Sequence, residues 1–318
     1  ARALGASDVH IQSGCKAKFR IDGELQDHSE FIICYKKIIE WLRDVLDEKM
    51  LTKFKDRGEI DFAYTNNSDR YRVNAFKNHA GISIAVRVIS HNLPNCEDCN
   101  LPNSIVNLAR LESGLVLVTG PTGSGKSSTI AALINQINAT RKVHIVTLED
   151  PIEFLHRNEK ALLSQREIGR DTDCFMSGLK SALREDPDVI LLGELRDAAT
   201  IMAALTAAET GHLVFATLHT GDAVGTISRI LDACDDKSHV RAQLADSLAA
   251  IISQKLLKKK GGGRIAAFEV LLKTDALKNL IREGRNHQLV SYLETGSKAG
   301  MITMQKYIKF LQSEGLIL

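Results

Sequence analysis

The feature that most constrains this chain is an eight-residue loop, Gly120-Pro121-Thr122-Gly123-Ser124-Gly125-Lys126-Ser127. It fits G-x-x-x-x-G-K-[ST] at every fixed position. A short apolar run, Leu115–Val118, precedes it, and a helix-like stretch, Ser128–Ile137, follows. A strand, a glycine-rich loop and a helix in that order form a phosphate cradle. Glycine lets backbone N–H groups turn onto phosphate oxygens, and the helix start adds free donors and partial positive charge. The candidate nucleotide-binding residues are Gly120, Thr122, Gly123, Ser124, Gly125, Lys126, Ser127 and Ser128. Lys126 suits the β- and γ-phosphates of ATP, and the Ser127 hydroxyl suits Mg²⁺.

The pattern around the loop sets the fold class. Val143–Leu148, Val189–Leu192 and Leu213–Thr217 are further short apolar runs separated by helical stretches. Buried strands alternating with helices imply a parallel sheet covered on both faces. The first ninety or so residues read differently. Asp8–Gln12 and Ala17–Ile21 alternate polar and apolar, and Asp22-Gly23 marks a hairpin turn. One amphipathic helix is expected over Tyr35–Phe54, with Ile38, Ile39, Leu42, Leu46 and Met50 on one face and Gly58 beyond it. Strand-like runs Ile60–Tyr64, Tyr71–Phe76 and Ile82–Ile89 follow, with turns at Asn66–Asp69 and Asn78–Gly81. Pro94 and Pro102, among several asparagines, mark a boundary. The expected organisation is an α+β domain over 1–92, a linker over 93–104 and an α/β domain over 105–318.

Composition excludes several classes. The 318 residues are 44% hydrophobic and 25% charged, which suits a globular protein. The net charge of +2 gives no support to nucleic-acid binding by bulk charge. No run approaches the roughly 18 apolar residues that a membrane-spanning helix needs. The six cysteines are scattered, as expected in a reducing compartment. The chain begins at Ala1 rather than Met, which leaves its natural start open.

Hydrolysis needs more than a phosphate loop: a group to position water and a group to hold the metal ion. Three places offer them. The run Val143–Leu148 ends in Glu149-Asp150-Pro151-Ile152-Glu153, and strand ends are where such sheets bind ligands. Asp186–Glu194 resembles a Walker-B strand, although Gly193 stands at the usual terminal aspartate position. His219, in Ala216-Thr-Leu-His-Thr220, follows another strand-like run. Taken singly, these also suit an exposed acidic turn, an ordinary buried strand and a structural histidine.

Together the motifs resemble the secretion ATPase superfamily of type II secretion, type IV pili and type IV secretion. Within it they are similar to the PilT-like pilus-retraction motors. The resemblance covers essentially the whole chain. It rests on Gly114–Ser127, Leu148–Phe154, Gln165–Thr172, Ala182–Ile190, Gly193–Asp197, Ala207–Phe215 and Thr217–Thr220. It implies a RecA-like P-loop ATPase domain with a smaller α+β, PAS-like amino-terminal domain. Glu153 falls at the glutamate that polarises water, Glu194 at the Walker-B glutamate near Mg²⁺, and His219 near the γ-phosphate. Arg72 and Arg87 match arginines that reach a nucleotide. A guanidinium is suited to charge building on a transferred phosphoryl group; an arginine on a solvated strand face is the plain alternative.

The resemblance further implies a homohexamer hydrolysing ATP with Mg²⁺. The ring would be cytoplasmic, peripheral to the inner membrane, without nucleic acid, and engaged with an inner-membrane pilus platform protein. Ala276–Glu283 is similar to a retraction motif, with Leu277 and Lys278 in place of Ile and Arg. Assembly ATPases often carry two C-x-x-C pairs for zinc; here only Cys96 and Cys99 have that spacing, short of four ligands. The alternatives are a pilus-assembly or type II/IV secretion ATPase, and a nucleic-acid-dependent RecA-like translocase. Lys258–Lys260 and Arg264 flank a glycine run and read as a solvated hairpin, with docking to an anionic membrane the other reading.

Overall fold

The computed structural model of the chain describes residues 4–21, 24–66, 69–89 and 93–318. Asp22-Gly23, the centre of the Asn66–Asp69 turn, and Ala1 lie outside the described residues. The chain divides into two compact units, Ala1–Asn92 and Leu93–Leu318.

The first unit is α+β. Its strands are β1 (Asp8–Gln12), β2 (Cys15–Ile21), β3 (Glu24–Ile33), β4 (Glu59–Asn66), β5 (Asp69–Asn78) and β6 (Gly81–Val88). They form one antiparallel sheet in the order β3-β2-β1-β6-β5-β4. Helices α1 (Tyr35–Val45) and α2 (Glu48–Arg57) supply Ile38, Leu42 and Phe54 to a core with Ile60, Phe62, Val73, Ala75 and Ile84.

The single helix expected over Tyr35–Phe54 is therefore two. Leu46 is extended, at φ −101° and ψ 138°, and Asp47 caps the second helix by accepting from the Met50 N–H at 2.8 Å. An aspartate side chain satisfies one of the donors orphaned at a helix start, so it favours a new start over continuation. Leu46 stays buried across the break, which is why the apolar spacing runs on unbroken.

The second unit is the parallel α/β domain. Its seven-stranded sheet runs in the order β13-β12-β7-β11-β10-β8-β9. The strands are β7 (Gly114–Thr119), β8 (His144–Glu149), β9 (Leu162–Glu167), β10 (Val189–Leu192), β11 (Leu213–Leu218), β12 (Leu248–Lys258) and β13 (Arg264–Leu272). All neighbours are parallel except β12 and β13, which form the hairpin carrying Lys258–Arg264. β7, β10 and β11 are buried at every residue. Alternate residues serve opposite faces: Leu115, Leu117, Ile190 and Val214 join one core, and Val116, Val118, Val189 and Phe215 the other. Each such side chain removed from water contributes about 1.5–3 kcal/mol.

The second unit opens with the short α3 (Asn103–Val106), and the helices covering these faces include α4 (Lys126–Thr140), α5 (Phe175–Ala182), α6 (Ala198–Glu209), α7 (Ala223–Asp232) and α8 (Lys237–Ser247). Then come α9 (Asp275–Arg282), α10 (Leu289–Thr295) and α11 (Met304–Ser313). Residues 93–104 fold against this unit: the Cys96 and Cys99 thiols face the carbonyls of Ala132 and Ser128 on α4 at 3.6 and 3.8 Å. Burial pushes the Cys99 thiol up to about 11.

The retraction-like motif forms α9. Its two departures both have places: Leu277 is buried, and Lys278 pairs with Asp246 of α8 at 2.6 Å beside Arg282 at 2.8 Å.

Candidate functional site

The carboxyl ends of β7, β8, β10 and β11 gather the site residues expected in the second unit. The loop after β7 turns through Gly120 at φ +146° and Gly125 at φ +90°, a range that favours glycine. Space imposes the same choice. A Cβ on Gly120 would lie 2.3 Å from the Gln254 carbonyl oxygen, and one on Gly125 would lie 2.8 Å from Gln254 Nε2. Gln254, on β12, is thus the floor of the loop, and its Oε1 accepts from Thr129 Oγ1 of α4 at 2.8 Å. Sequence reasoning missed Gln254, because nothing local marks a glutamine on a distant strand as the loop's support.

Lys126 Nζ donates to the carbonyl oxygens of Gly120 at 2.8 Å and Pro121 at 3.1 Å. Burial lowers its pKa, while Glu194 and then Glu153 favour its charged form. The two carboxylates assigned to hydrolysis therefore both lie within electrostatic reach of the lysine of the phosphate loop. Ser124 Oγ is buried and has no protein partner, as suits a hydroxyl aimed at a phosphate oxygen. The backbone cradle, the lysine and this hydroxyl fit the phosphates of a nucleotide.

Glu194 follows β10 and is held from two sides. Arg196 Nε reaches its Oε2 at 2.7 Å, and His219 Nε2 its Oε1 at 3.4 Å. Arg196 also approaches Asp150 at 4.0 Å. The strand ends are locked: Gly193 N–H donates to the Leu148 carbonyl at 2.8 Å, Leu195 N–H to the Thr217 carbonyl at 3.0 Å, and the Thr217 hydroxyl to the Gly193 carbonyl. Glycine at the usual aspartate position suits a tight place. A Cβ at position 193 would lie 3.3 Å from the Leu148 carbonyl oxygen and 3.4 Å from the Phe175 ring, leaving little room for a side chain. Arg196 lies inside the Gly193–Asp197 motif without a role that the sequence assigns; its pairing with Glu194 supplies one.

Glu149 and Glu153 occupy different places. Glu149 is pushed up to about 7 by burial, which outweighs hydrogen bonds from Thr147, Gln165 and the Glu153 backbone N–H. With Ser127, Phe154, His156, Gly193 and Thr217 it lines a small cavity of about 50 Å³. His156 is driven down to about 4 by burial, so it is neutral at physiological pH. Among the described residues no cluster of three or more His, Cys, Asp or Glu forms a metal site. Mg²⁺ does not need one, since it commonly takes one or two protein groups besides phosphate and water; Ser127 and Glu194 fit that pattern.

Arg72 and Arg87 belong to the first unit. They are direct cross-strand partners on β5 and β6. Arg72 pairs with Asp61 at 3.1 Å and Arg87 with Asp8 at 3.0 Å. Burial acts to raise the Asp8 carboxyl, and hydrogen bonds from Ser7 and Arg87 outweigh it, leaving it below the ordinary value.

A loop built for phosphates, with two carboxylates and a histidine at neighbouring strand ends, defines an ATP-hydrolysing P-loop protein. Comparison narrows the class. The family model "Type II/IV secretion system protein" matches residues 1–309. The type IV pilus retraction ATPase PilT of Pseudomonas aeruginosa is 44% identical over 98% of this chain and 92% of its own length. YggR of Escherichia coli K12 is 46% identical over 97% of this chain and 95% of its own. A crystal structure of the pilus retraction motor PilT with bound ADP matches at TM-score 0.92 and 41% identity, covering 100% of this chain and 92% of that one.

The chain belongs to the type II/IV secretion system protein family. It is an ATPase of the PilT-like branch, with the RecA-like domain and smaller α+β domain of that branch. Among the described residues no helix is long and apolar enough to cross a membrane.

Proposed function

We propose that this chain is the motor ATPase of type IV pilus retraction, working as a homohexamer at the cytoplasmic face of the inner membrane on a pilus platform protein. The carrying observation is the phosphate loop at the end of β7, with Lys126 drawn onto the Gly120 and Pro121 carbonyls and Glu194 held by Arg196 and His219 at the end of β10. The 44% identity to a retraction ATPase over 98% of the chain and the α9 motif support the direction of force.

In this reading the loop N–H groups and Lys126 bind the β- and γ-phosphates, and Lys126 exchanges its carbonyl contacts for phosphate oxygens. Ser127 and Glu194 would hold Mg²⁺, which would neutralise phosphate charge when bound. Glu153 orients the attacking water, accepting a hydrogen bond from it. Arg196 fixes the Glu194 carboxylate, and His219 donates toward the γ-phosphate. Arg72 and Arg87 are assigned to nucleotide contact. The boundary between a PAS-like domain over 1–92 and the motor, with 93–104 as linker, is part of the same proposal.

The test is ATP turnover with Mg²⁺. Lys126→Ala should abolish nucleotide binding and turnover together. Glu153→Gln should keep binding and reduce kcat by about 10²-fold or more, the scale of removing a positioned general base. Undiminished turnover in both variants would overturn the catalytic assignment.

A further inference from the structure

The segment carrying Glu153 is held by side chains. Ile152 N–H donates to Glu167 Oε2 at 3.2 Å. Gln165 supplies the most specific contact. Its Nε2 donates to the Phe154 carbonyl at 2.9 Å, while its Oε1 accepts from the His156 N–H at 2.8 Å. One planar amide thus grips the backbone on both sides of Leu155. The same Nε2 lies 3.2 Å from Glu149 Oε1, joining the two halves of the network. Gln165 faces Thr147 across the β8–β9 ladder, and Thr147 Oγ1 donates to the same Glu149 oxygen at 2.8 Å.

We infer that Gln165 is a positioning residue for hydrolysis: its amide clamps Phe154 and His156 so that Glu153 is presented to the phosphate loop. The inference rests on the proposed role of Glu153 in orienting water. Only an amide fits the position. A carboxylate accepts from His156 N–H but has no donor for the Phe154 carbonyl, and it faces the Glu149 carboxylate. An apolar side chain of the same length leaves a carbonyl and an N–H without their partner, each a costly loss when shielded from water. Rate is more sensitive than binding to such a loss. The phosphate cradle is built from β7, α4 and β12, whereas the Glu153 segment hangs on β8 and β9. A displacement of about 1 Å at a catalytic group costs up to about 10²-fold in rate.

The experiment is a double-mutant cycle on the full chain, with kcat and KM for ATP in Mg²⁺ and the affinity for a fluorescent ADP. Gln165→Met should lower kcat by about 10–10²-fold and leave KM and ADP affinity within about twofold. In a Glu153→Gln background it should lower the residual turnover no further, because it acts through Glu153. Gln165→Glu is the second variant should the first not fold, and it should show the same split between kcat and KM. An unchanged kcat in Gln165→Met, or an equal further loss in the Glu153→Gln background, would overturn the inference. If Glu153→Gln alone turns over at the wild-type rate, the reading of Glu153 fails and the inference with it. If Glu153→Gln is inactive while Gln165→Met is normal, only the clamp fails.

Discussion

At the residue scale, the site divides by how its residues act. The roles proposed for Gly120, Gly125, Lys126 and Ser127 belong to the loop itself, so a fixed spacing declares them. Gly120→Ala places a Cβ against the Gln254 carbonyl in a backbone conformation that favours glycine. The free loop relieves that strain of about 1–3 kcal/mol by leaving the cradle geometry, and re-forming the cradle on binding costs it back, which at about 1.4 kcal/mol per tenfold lowers nucleotide affinity by about 5- to 150-fold; fluorescent-nucleotide titration reads it. Gln254, Arg196 and Gln165 act on other residues. Their contacts form only when separate strands and loops meet, as Gln254 meets Thr129, so no spacing announces them.

Glu149 gives a prediction with a definite sign. Its folded value of about 7 lies above its ordinary 4.5, so folding takes up a proton between the two. The stability it contributes is complete below about 4.5 and is lost as pH rises through about 7. Glu149→Gln keeps an acceptor for Thr147 and cannot ionise. Its Tm should exceed that of the wild type above pH about 7, with the gain shrinking toward pH 4.5. A gain of equal size at both ends, read by thermal melting across pH, would contradict this assignment.

At the scale of elements, legibility follows burial. β7, β10 and β11 are covered on both faces, so each must be continuously apolar and each stands out in the sequence. β9 is an edge strand whose Gln165 and Glu167 are committed to the neighbouring segment, so Leu162–Glu167 shows no apolar period to read. The break between α1 and α2 is hidden for the opposite reason, because Leu46 continues the apolar stripe through it. Only Asp47 marks the new helix start. Asp47→Ala should therefore cost about 1 kcal/mol, the usual value of an N-cap. Urea denaturation of the full chain, followed by the fluorescence of Trp41, reports it. No change in midpoint would mean that the break does not depend on its cap.

At the scale of the whole molecule, the fold class was readable, and the candidate site could be proposed, because a P-loop dictates its own surroundings: a buried parallel strand before it, a helix after it, and carboxylates at neighbouring strand ends. Net charge was readable too, and at +2 it argues against a translocase on nucleic acid. Turnover should be the same with and without single- or double-stranded DNA at low salt, where electrostatic binding is strongest. Stimulation that fades with salt would favour the translocase instead.

Retraction is a statement about the direction of force, and pilus number reads that direction in a strain lacking this chain. A retraction motor predicts excess surface pili and no twitching in that strain, restored by the wild-type chain and not by Lys126→Ala. Loss of surface pili in the deletion strain would contradict it and make the chain an assembly ATPase.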